Sequence, residues 1–182
     1  MFLKLTKEVQ FLNREDYCNK MLDHLCNSES YRKLAKNSLK KVSKTVTLAI
    51  KSRCTVSSLS KKLIESNPLT PRIYGLPKFH KEGAPFRPIF NTIGGPTYLL
   101  CKYLAHKLKP LVGLSYSFVK DSSSFFDELN SLNFEPGDIL VIFDVVSLFT
   151  NISINEAVEV IKRVTDLDTA KFVEICLTSN FF

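Results

Sequence analysis

The 182 residues include no tryptophan, no C-x-x-C pair and no histidine at zinc-ligand spacing from a cysteine. The five cysteines, Cys18, Cys26, Cys54, Cys101 and Cys176, are odd in number and widely spaced, which argues against a disulfide framework and a structural zinc site. Reduced, mostly buried thiols are expected instead. Long apolar runs are also missing. The longest, Ile139 to Phe149, is broken by Asp144 and is far shorter than the roughly 18 residues that suggest a membrane span. No membrane-spanning helix is therefore expected. The start, MFLKLTKEVQ, lacks the sustained apolar block and small-residue cleavage site of a secretory signal, and the end carries no lipidation box, so an intracellular protein is expected.

Proline and glycine are absent from the first 67 residues and the last 45; all eight prolines and six glycines lie between Pro68 and Gly137. Unpunctuated ends rich in Lys, Leu and Glu read as helical, whereas the middle must hold turns, short strands and loops. The fold class is α+β. With 45% apolar and 24% charged residues the composition is ordinary for a globular chain. In the first segment Met21, Leu22 and Leu25, then Leu34, Leu39, Val42, Val46 and Ile50, fit several short amphipathic helices.

In the middle, Ile73 to Leu76 and Ile89 to Phe90 read as short strands flanking a loop. Pro96 suits a first helical turn and opens a helix from Thr97 to about Leu108, with Pro110 and Gly113 as stop signals. Leu100, Leu104 and Leu111 share one side of that helix, with Lys102, His106 and Lys109 opposite. Such a stripe suits a nucleic-acid backbone but is more often a solvated face. A short helix follows Asp121 over Ser124 to Leu132. After the turn Glu135-Pro136-Gly137-Asp138, the run Ile139 to Phe143 reads as a strand buried on both faces and ending in Asp144. Ser153 to Glu156 has capping-box spacing and opens a helix to about Val164, and Asp168 is a candidate cap for a last helix through Leu177.

Charge is unevenly placed. Residues 1 to 110 hold 21 basic and 7 acidic side chains, a net +14, whereas the remainder is net acidic with 4 basic and 11 acidic. Clustered lysines suit a polyanion such as nucleic acid, through counterion release, and equally suit a solvated surface. From Arg72 to Arg87, five potential cations fall within 16 residues: Arg72, Lys78, His80, Lys81 and Arg87. Arg87, between Phe86 and Pro88, is the best phosphate fork, and Lys78 and Lys81 are point-charge alternatives. A phosphate-binding loop and a charged surface hairpin both fit this pattern. Asp144, fixed at a strand end, could bind Mg²⁺ or simply accept a local hydrogen bond.

The strings TPRIYGLPKFHKEGAPFRPIFNTIGGPTYLLCKYLA and ILVIFDVVSLFTNI resemble the reverse transcriptase of Penelope-like retroelements. VQFLNREDYCNKM and SYRKLAKN resemble that family's N-terminal extension. The resemblance is most specific from about Leu69 to Ile161, where G-L-P-K-x-H-K, R-P-I and F-D-V-x-S-L-F-T-N-I stand in the family's order. It implies a right-hand polymerase with a basic helical N-terminal extension over 1–67, fingers and early palm over 68–136, and the first catalytic palm strand with following helices over 137–182.

By the same resemblance Asp144 and the Val145 carbonyl are Mg²⁺ ligands, with Asp144 catalytic. Arg87, assisted by Lys78 or Lys81, holds the incoming deoxynucleoside triphosphate. Phe149 is the steric gate against a 2′-hydroxyl, for which a core phenylalanine is the plainer reading. The implied partners are an RNA template and a DNA primer, and the implied location is nuclear; Arg72 and His80 of the cationic loop and Lys102, His106 and Lys109 of the helix stripe are the candidate nucleic-acid contacts. The chain ends Leu177-Thr178-Ser179-Asn180-Phe181-Phe182, where the family continues into a glycine-containing motif, an Asp-Asp turn and a thumb. Two metal ions roughly 3.5 to 4 Å apart need more than one carboxylate, so these 182 residues are expected to be inactive alone. A non-catalytic, basic nucleic-acid-binding protein is the alternative expectation.

Overall fold

The structure, a computed structural model, describes residues 13–26, 31–78, 81–115, 117–145 and 148–182, with the side chains of 149 and 150 also outside the description. Two units interleave along the chain: one takes 1–37, 71–92 and 182, the other 38–70 and 93–181.

In the first unit the expected strands form an antiparallel hairpin, β1 (Arg72–Pro77) and β2 (Phe86–Asn91), accompanied by helix α1 (Arg14–Cys26). Period-two alternation divides the hairpin into two faces. Ile73, Gly75 and Pro77 stand opposite Phe90, Pro88 and Phe86 on one face; Arg72, Tyr74 and Leu76 stand opposite Asn91, Ile89 and Arg87 on the other. Helix α1 covers the first face. Tyr17 packs its ring 5.2 Å from that of Phe86, and its hydroxyl accepts a 2.7 Å bond from the Gly75 amide. The approach is so close that a Cβ at Gly75 would run into the Met21 sulfur and the Phe86 ring.

The second unit is helical among its described residues: α2 (Leu39–Arg53), α3 (Ser57–Leu63), α4 (Tyr98–Leu108) continued by a 3₁₀ turn (Lys109–Leu111), α5 (Ser122–Ser131), α6 (Leu148–Asn151), α7 (Ile154–Val164) and α8 (Leu167–Thr178). Its core joins Val46 and Ile50 of α2, Leu63 of α3, Leu100 and Leu104 of α4, and Phe172 and Ile175 of α8. Each such side chain contributes about 1.5–3 kcal/mol on burial, so four helices are held by one apolar cluster. The caps follow the chemistry of short polar side chains: Asp121 accepts from the Ser124 amide at 2.9 Å and Ser153 from the Glu156 amide at 3.4 Å. Helix α8 is capped by Asp166 rather than by the expected Asp168, because Asp166 accepts from the Thr169 amide at 2.8 Å.

Two further expectations are corrected. Ile139 to Phe143 is not a strand: the only sheet among the described residues is β1-β2, and the run is irregular, with Ile139 83% and Ile142 and Phe143 each 88% exposed. A strand buried on both faces needs backbone partners at its edges and layers above and below, and none is supplied to it here among the described residues. The thiols are all free, but Cys18, Cys26 and Cys101 are exposed, and Cys54 and Cys176 are half-buried at the edge of the helical core. Among the described residues no helix is long and apolar enough to cross a membrane.

Candidate nucleic-acid and nucleotide interface

The hairpin brings two of the expected cations to one face. Because Arg87 is opposite Leu76 and Arg72 is four residues earlier on β1, the two guanidinium groups mark the ends of an exposed strip about 13 Å long. Tyr74, 43% exposed, lies between them, and Leu76, 48% exposed, stands beside Arg87 across the strands. A phenol ring and an isobutyl group beside two arginines offer a flat apolar platform bounded by planar forks, a chemistry that suits bases and phosphates together. Tyr74 and Leu76 were not among the residues expected to act; strand alternation with Arg72 was the signal that pointed to them.

Lys78 begins the connecting loop, half-buried, with its amide donating to the Pro85 carbonyl at 2.9 Å. Lys81 is exposed; its amide donates to the Lys78 carbonyl and its carbonyl accepts from Ala84, both at 3.0 Å. Ala84 takes φ 43°, a left-handed value that costs a residue with a Cβ about 1–2 kcal/mol. The two lysines therefore sit on a tightly turned loop, not a collapsed one. His80 lies outside the described residues.

In the helical unit Lys102, His106 and Lys109 are exposed along α4 and its 3₁₀ extension, on the side away from buried Leu100 and Leu104, as the spacing predicts. The neighbouring Lys107 is engaged differently. Its ammonium donates to Asp166 at 2.7 Å and to Thr169 at 2.5 Å, while Arg53 pairs with Asp168 at 2.7 Å, tying α2 and α4 to the start of α8. The Lys107 hydrogen bond, then the Thr169 amide and hydroxyl, hold the Asp166 carboxyl well below the usual carboxylate range, and Asp166 raises Lys107 in turn. Cys101 on α4 shares a hydrogen bond with Cys176 on α8, which lowers the Cys101 thiol to about 7 and raises Cys176.

Asp144 and Val145 lie in the exposed irregular stretch, and Phe149 lies in α6 with its side chain outside the description. No group of three or more His, Cys, Asp or Glu side chains that could hold a metal occurs among the described residues. A single exposed carboxylate competes poorly with water for Mg²⁺, so the described residues do not fit a metal pair by themselves. No protein-family model, curated protein or solved structure matches the chain.

Proposed function

We propose that this chain is the N-terminal part of an RNA-directed DNA polymerase of the Penelope-like kind, carrying its extension, fingers and the start of its palm. The observation that carries the reading is the exposed run Ile139 to Phe143 leading into Asp144. Five consecutive apolar residues in water are unfavourable, and a buried palm strand is the setting that would remove them from it. In this reading Arg87 forks the triphosphate of the incoming deoxynucleotide, the Tyr74 platform lies along the strand, and Phe149 excludes the ribose hydroxyl. Asp144 and the Val145 carbonyl supply part of a Mg²⁺ site whose remaining carboxylates come from sequence beyond residue 182. RNA template and DNA primer are the partners, and the nucleus is the compartment.

The test is primer extension on an RNA template with Mg²⁺ by the protein translated from the full native transcript. Asp144→Ala is expected to lower extension by at least about a thousandfold, the scale of losing a principal electrostatic group, while template binding changes little. Extension retained by the variant removes Asp144 from the mechanism.

A non-catalytic nucleic-acid-binding protein is favoured by a separate observation, the net +14 of residues 1 to 110 together with the open Arg72–Arg87 face. It requires affinity without polymerisation from any longer product of the gene.

A further inference from the structure

Helix α2 runs LKKVSKTVTLAIKSR and contains no acidic residue. Its buried stripe, Val46 and Ile50 with partly buried Val42 and Ala49, faces the core of the helical unit. On the opposite side, Lys40, Lys44, Thr47 and Lys51 follow one another at steps of four, three and four, which keeps them in one row along the axis. From Lys40 to Lys51, eleven helical rises, that row is about 16 Å long. It borders an open groove of about 370 Å³ lined, besides these residues, by Leu39, Ser43 and Leu48 of the same helix and by Pro68. Lys40, Lys44 and Lys51 are exposed, and none of the ion pairs among the described residues involves them.

We propose that this groove binds the sugar–phosphate backbone of a nucleic-acid strand, with Lys40, Lys44 and Lys51 on successive phosphates. The Ser43 and Thr47 hydroxyls donate to phosphate oxygens or sugar. Charge complementarity identifies the occupant: three ammonium groups in line, with no carboxylate on the helix, repel a cation and attract an anion, while Leu39, Leu48 and Pro68 beside them offer apolar contact to its sugar. The row, moreover, suits a linear polyanion better than a single phosphate, which one or two of the lysines would saturate. The groove has no aromatic lining, so the contact positions a strand without reading its bases. This inference rests on the nucleic-acid reading of the chain and not on its polymerase chemistry.

The experiment measures binding of the full 182-residue chain to a fluorescent single strand of about 16 nucleotides between about 50 and 200 mM salt. Lys40→Gln/Lys44→Gln/Lys51→Gln is expected to weaken binding at least about tenfold at the low-salt end and to reduce the log–log salt slope by about 2, three contacts at about 0.7 each. The corresponding triple arginine variant keeps the wild-type slope. Arg72→Gln/Arg87→Gln serves as the control in the other unit. Loss of binding in that variant, with the lysine variant unchanged, overturns the groove and leaves the nucleic-acid reading standing. Failure of the unaltered chain to bind at low salt overturns both. A lysine triple variant that binds the strand as the unaltered chain does but loses binding to anionic phospholipid vesicles would assign the row to a lipid surface and overturn the proposal. If the triple glutamine variant loses its helical circular dichroism, the single Lys44→Gln replaces it, with an expected slope change of about 0.7; no change overturns the proposal.

Discussion

Asp166 performs two tasks with one carboxylate, capping α8 through the Thr169 amide and pairing with Lys107. The ion pair is largely exposed and adds little, between 0 and about 1 kcal/mol, whereas an N-cap of this kind is worth about 1 kcal/mol. Asp166→Ala should therefore cost about 1–2 kcal/mol, read as a lower midpoint of urea unfolding followed by circular dichroism. The carboxyl is depressed in the folded chain, so its contribution is complete above the unfolded value near 3.9 and is lost as pH falls below that value toward the folded one. The acid limb of the unfolding curve should accordingly be shallower in Asp166→Asn than in the unaltered chain. Lys107, raised by the same pair, contributes below its ordinary value and loses that contribution only at strongly alkaline pH. The sequence pointed to Asp168 as the cap; the cap is Asp166, two residues earlier, whose carboxylate accepts from both the amide and the hydroxyl of Thr169, the latter at 2.7 Å.

At the scale of elements, local signals carried far. Ser153 foretold the start of α7 and Asp121 that of α5, because capping is written in three or four adjacent residues, whereas α4 begins at Tyr98, one residue later than expected, with Pro96 ahead of its first turn and no side-chain cap from Thr97. The hairpin was legible as two short apolar stretches flanking a loop rich in proline and glycine, and its packing depends on one small residue. Gly75→Val, which places branched carbon where Met21 and Phe86 already lie, should cost about 1–3 kcal/mol through overpacking. Faster hydrogen exchange at the β1 and β2 amides would register that cost, and unchanged protection would show that α1 is not pressed onto the sheet. The run Ile139 to Phe143 is unpaired among the described residues because composition reports that a segment wants burial, not whether partners exist within the chain to bury it. An exposed run of this kind promotes association. Ile142→Lys should reduce concentration-dependent light scattering without lowering the unfolding midpoint, since the side chain it replaces is already 88% exposed; undiminished scattering would place the adhesive surface elsewhere.

Across the whole molecule, the charge division in the sequence acquires locations: arginines on the open face of the hairpin, and a lysine row on α2 that the averaged count of 21 basic residues concealed. That row was readable from its four-three-four spacing once the segment was taken as a helix. The interleaving of the two units was not, because long-range contacts between 14–26 and 71–92 leave no local trace. The cations of the hairpin were legible in the sequence, but the placing of Arg72 and Arg87 on one face depends on backbone pairing that no single segment encodes.

The central claim is that Ile139 to Asp144 is the first catalytic strand of a larger palm. Sequencing the native transcript through and beyond the codon for Phe182 tests it most directly. The account predicts an open frame that continues into a glycine-containing motif and then an adjacent pair of aspartates in an apolar turn. A stop codon directly after Phe182 would contradict it.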